Sequence, residues 1–196
     1  MAIAKGQLNL AGWLSITNAI FTIPAIAMSF FLESMEGTEA RFAQAILVVV
    51  SLGLFVYILL SLKQLLNSRF RFHDVDIFIS YLLWGNLSLS LFHILSLVNK
   101  EFESAVSILS VMAYIFFGIL SIMFATRLLR LQNNLYGLLK PYCKITIVSG
   151  VCFITIILLP VGILAGAVTD VILGVIFLRA AEQPPSPNEI FGAPIG

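Results

Sequence analysis

The chain has 196 residues, 60% of them hydrophobic and only 11% charged, with a formal net charge of +1. A soluble domain carries about 25% charged residues, so this chain lacks the polar surface to cover itself and lipid is its expected solvent. The net charge conceals a division of basic and acidic residues between alternate short loops, the pattern of a membrane topology and not of a nucleic-acid surface, whose basic residues would cluster on one soluble face.

Backbone groups in hydrocarbon need internal partners, which only helices or closed barrels supply. The apolar runs are long and do not alternate, so helices are expected. In chain order they are Leu8–Leu32, Phe42–Leu66, Ile77–Val98, Ser104–Leu128, Ile145–Leu159 and Ile163–Leu178. The expected fold is an all-α integral membrane protein, a six-helix transmembrane bundle built from three helical hairpins. Five spans plus a re-entrant or kinked segment is the alternative. Residues 1–180 form the membrane domain, and the Pro-rich tail 181–196 is read as disordered.

Within the first run, Ala25-Ile26-Ala27 has the small-x-small form of a signal-peptidase site. Met28 to Leu32 prolongs the apolar helix beyond it, so the segment is read as a span. Ser15, Asn18 and Thr22 give this span a polar face, followed by Pro24. The third span carries Asn86, Ser90 and His93 on one helical face. Counting from the outer end, His93 and Asp170 of the last span are expected at similar depth.

The final apolar stretch, from Tyr142 to Leu178, is too long for one crossing. A helix of that length would reach roughly 55 Å against a hydrocarbon core of about 30 Å. Pro160 and Gly162 lie near its midpoint, so the hairpin turn is placed there, with a short second arm. On that arm Gly162, Gly166, Asp170 and Gly174 recur every four residues, a stripe that lets another helix backbone approach. An intramembrane Asp costs about 2.5–3.5 kcal/mol on translocon scales if it faces lipid, so Asp170 is expected to face another helix. Asp170, His93, Asn86 and Asn18 form the candidate intramembrane polar or ion site. Gly162, Gly166 and Gly174 are the candidate packing residues.

Charge sets the orientation. With the N-terminus inside, Lys5, Lys63, Arg69, Arg71, Arg127, Arg130, Lys140, Lys144 and Arg179 lie on the cytoplasmic side, and only Arg41 and Lys100 lie outside. This bias follows the positive-inside rule, and the expected location is a bacterial inner (plasma) membrane with both termini cytoplasmic. Arg69, Arg71, Arg127, Arg130, Lys140 and Lys144 are candidate contacts for lipid headgroups.

No phosphate loop, metal-binding helix or nucleophile elbow occurs. His93 is the only histidine within a span, so no bis-histidine haem site forms in one chain, and Cys143 and Cys152 give neither a redox pair nor a ligand set. The chain is expected to be no enzyme, to need no cofactor or metal, and to have the bilayer, other membrane proteins or itself as partners. The functional expectation is an accessory, assembly or lipid-interacting component. The alternative is a small proton- or cation-coupled transporter or channel using the Asp170, His93 and Asn86 path.

Overall fold

The computed structural model describes residues 4–35, 37–98, 103–131 and 134–183. Six α-helices account for most of them: α1 (Lys5–Glu33), α2 (Thr38–Arg69), α3 (Asp76–Val98), α4 (Glu103–Leu128), α5 (Leu139–Ile154) and α6 (Leu159–Glu182). A 3₁₀ turn, Leu135–Gly137, precedes α5. Among the described residues there is no strand. Five helices are long and apolar enough to cross a membrane; α5, with 16 residues, is not one of them. The protein is a helical bundle of the integral membrane type. α6 ends two residues beyond the domain boundary expected at 180, and the Pro-rich tail from 184 onward lies outside the described residues.

Each helix packs on its neighbours in the chain, and α6 closes the circuit by packing on α1. Neighbours run antiparallel. Gly12 and Leu178 meet near one end of the α1–α6 pair, while Asn18 meets Asp170 further along it. The start of α1 and the end of α6 therefore share one end of the bundle, together with the basic residues of the α2–α3 and α4–α5 connections.

Burial is concentrated at this basic end. The fully enclosed side chains include Leu62, Leu65 and Leu66 of α2, Ile79 of α3, Leu128 of α4, Leu135 of the 3₁₀ turn, Cys143 of α5 and Ile176 and Phe177 of α6. They belong to one continuous apolar cluster. In the opposite half few large side chains are enclosed, Leu32 being one exception. There α1 shows Ile20, Phe21, Ile23, Met28, Phe30 and Phe31 outward on every side. In a bundle of this composition, outward means toward lipid.

The α5–α6 reversal differs from the sequence expectation. The chain turns at Thr155–Leu158, before Pro160, so the short arm is the first and not the second. Pro160 lies in the first turn of α6, where the proline's missing N–H has no intrahelical acceptor to lose. Gly162 is freed from turning. Ile156 makes the reversal instead, at φ 54°, a left-handed conformation that a β-branched residue adopts only with strain.

Candidate functional site

The site begins with two small-residue faces. On α1, Ala11, Ser15 and Ala19 recur every four residues and are buried, with Gly12 beside them. On α6, Gly174 meets this face. A Cβ added to Gly174 would lie 2.8 Å from the Gly12 carbonyl oxygen and 2.7 Å from Ile16 Cγ1. A Cβ on Gly12 would lie 3.1 Å from the Gly174 carbonyl oxygen. The two backbones thus touch, as small residues permit within a membrane.

One turn from this contact, Asn18 Nδ2 donates to Asp170 Oδ2 at 2.8 Å. The bond joins the first and last helices of the chain and closes the circuit with a polar clasp. Its neighbours satisfy themselves. Ser15 Oγ donates to the Ala11 carbonyl at 2.9 Å, Thr22 Oγ1 to the Asn18 carbonyl at 2.8 Å and Thr169 Oγ1 to the Ala165 carbonyl at 2.9 Å. Hydroxyls bonded to the preceding turn of their own helix carry little exposed polarity. Of the expected polar face on α1, Asn18 is the member that reaches across.

His93 and Asn86 belong elsewhere. α3 packs on α2 and α4, not on α6, and the His93 residue is exposed while Asn86 is half-buried. Asn86 and His93 thus lie on a helix packed between α2 and α4, and Asp170 on one packed between α5 and α1. A Cβ on Gly85 of α3 would touch the Phe117 ring of α4, one on Gly118 would lie 2.6 Å from the Gly150 carbonyl oxygen of α5, and Ser149 Oγ bonds the Gly162 carbonyl of α6 at 2.8 Å.

The stripe on α6 divides between two partners. Gly162 is buried against Cys152 and Phe153 of α5, and Gly174 against α1. Gly166 is roomier, since a Cβ there would find only Ser149 Oγ at 3.8 Å. The backbone contact of Gly118 with Gly150 was not anticipated, because each glycine is isolated in its own apolar run. The α1 face is legible in the four-residue spacing of Ala11, Ser15 and Ala19.

The basic residues also separate. Arg71, Arg127, Arg130, Lys140 and Lys144 are exposed at the basic end. Arg69 is instead buried, which removes it from the headgroup contacts. Its guanidinium donates to the carbonyls of Ala180 and Gln183 and lies 5.5 Å from the centre of the Tyr136 ring. A cation here satisfies carbonyls at the end of α6 and complements the negative end of that helix. Arg179 in turn donates to the Tyr136 carbonyl at 2.9 Å. Among the described residues no group of three or more His, Cys, Asp or Glu side chains could hold a metal ion. In comparison with known proteins, no family model, no curated protein and no solved structure matches this chain.

Proposed function

We propose that this chain is a non-enzymatic component of a bacterial inner membrane, acting through helix packing and lipid contact in an accessory or assembly role. Its basic end and both termini face the cytoplasm in this reading, as the distribution of Lys and Arg favours. The observation that carries the proposal is the Asn18–Asp170 bond. The one acidic side chain in mid-span is engaged by a neighbouring helix, one turn from a backbone-to-backbone contact. That environment suits a carboxyl group that fastens two helices. A conduction path through Asp170, His93 and Asn86 finds less support, given the separation of α3 from α6.

The test is Asp170→Asn beside Asp170→Leu. An amide oxygen at position 170 still accepts from Asn18, whereas leucine does not. A fastening role leaves the Asn variant near wild-type abundance and thermal stability and lowers both in the Leu variant. Proton flux in proteoliposomes, read with an entrapped pH dye, should match protein-free vesicles for wild type and both variants. A wild-type flux abolished in well-folded Asp170→Asn would overturn the proposal in favour of proton-coupled transport.

A further inference from the structure

The last turns of α2 have two opposed faces. Leu62, Leu65, Leu66 and Arg69 point into the core. Leu60, Lys63, Gln64, Asn67 and Ser68 occupy the other side, where His73 from the α2–α3 connection joins them to line an open cleft of about 640 Å³. The cleft therefore lies on the membrane-facing side of α2, at the end of the bundle where the basic residues gather.

Its far wall is held in place. Asp76, at the start of α3, receives Asn67 Nδ2 on both carboxylate oxygens, at 3.0 and 2.9 Å, and lies 3.1 Å from His73 Nδ1. Phe72 N–H donates to the Leu66 carbonyl at 3.1 Å, which folds the connection back against α2. This arrangement fixes the imidazole through Nδ1 and leaves Nε2 to a ligand. It also occupies the nearest carboxylate with partners of its own; Asp74, the other acid of the connection, is exposed beside it.

We propose that this cleft binds the phosphate of an anionic phospholipid headgroup, one lipid per chain. Lys63 supplies the full positive charge, Gln64 and Ser68 supply neutral donors, and His73 Nε2 closes from the connection. These are the groups that recognise a phosphodiester through charge-assisted hydrogen bonds. Leu60, one turn deeper in the membrane, offers an apolar bed for the glycerol and first methylenes, which a free anion would not use. Attraction of a basic juxtamembrane residue to an anionic leaflet contributes about 1 kcal/mol, and a held histidine and two donors add specificity to it. The site rests on the membrane placement of the bundle and is independent of the role proposed for Asp170.

Native mass spectrometry of protein released from nanodiscs tests it. Wild type should retain one phosphatidylglycerol in preference to phosphatidylcholine. Lys63→Gln and His73→Gln should each lower that retention about tenfold, while Lys5→Gln, at an exposed lysine of the same end, should leave it unchanged. His73 is exposed, so its variant keeps the test valid if Lys63→Gln misfolds. Equal retention of the two lipids, or equal losses in Lys63→Gln and Lys5→Gln, would overturn the site. Displacement of the lipid by equimolar inorganic phosphate would overturn its assignment to a lipid.

Discussion

Replacing Gly174 by alanine should separate α1 from α6. The added methyl would stand 2.8 Å from the Gly12 carbonyl oxygen, which belongs to a helix backbone and cannot swing away. Relief requires the helices to part by several tenths of an ångström, and the 2.8 Å Asn18–Asp170 bond one turn along must lengthen or break. Overpacking of this kind costs about 1–3 kcal/mol, and an interhelical hydrogen bond in a membrane contributes about 0.6 kcal/mol on average. Alanine also favours the helix over glycine by roughly 0.5–1 kcal/mol, which offsets part of the loss. Gly166→Ala isolates that offset, because its methyl meets only Ser149 Oγ at 3.8 Å. Gly166→Ala should therefore be neutral or slightly stabilising. Gly174→Ala should fall below it by about 2–3 kcal/mol, a ratio of roughly 30 to 150 in the folding equilibrium at 1.4 kcal/mol per tenfold. Reversible unfolding in mixed micelles measures the gap, and Gly12→Ala combined with Gly174→Ala should cost less than the sum, since one separation relieves both. Equal stability of the Gly166 and Gly174 variants would refute the reasoning.

Arg69→Ala should destabilise the basic end by about 2–3 kcal/mol, the scale of hydrogen bonds to a charged donor, with earlier proteolysis after Arg179 as the readout. Arg69→Lys should recover only part of this, because an ammonium lacks the rigid planar fork that meets the Ala180 and Gln183 carbonyls while lying over the Tyr136 ring; full recovery would argue against the clamp. In a background lacking Cys143 and Cys152, a cysteine at Met35 should react with an impermeant thiol reagent in intact cells and one at Ser68 should not. Labelling at Ser68 would reverse the proposed orientation. A reporter fused after Gly196 should read on the same side as the N-terminus; the opposite result would mean an odd number of complete crossings.

The six helices were legible because long apolar runs and short charged breaks leave little choice in a membrane. Details that depend on which helices meet were not. The hairpin turn was sought at Pro160 and Gly162 because proline ends helices, yet proline also begins them, and the strained Ile156 has no mark in sequence. Asp170 was legible as a buried polar group. Its partner Asn18 could be chosen over Asn86 and His93 only once α6 was known to close on α1. Arg69 looked like one more positive-inside anchor, since sequence alone does not tell a snorkelling arginine from one that reaches across the bundle.

The brevity of α5 has a consequence for the bilayer itself. Sixteen residues rise about 24 Å, some 6 Å less than a typical hydrocarbon core, and Lys144 is exposed more than one turn inside that length. The corner at Thr155–Leu158 is nevertheless apolar at its tip, with Ile157 89% exposed. Headgroups must dip toward this corner while standing at full height beside the longer α2 and α4. At fractions of a kcal/mol per ångström of mismatch, the dimple is affordable in a thin membrane and increasingly unfavourable in a thick one. Acyl-chain length should thus decide where the protein gathers, with short-chain regions drawing it in by this one corner.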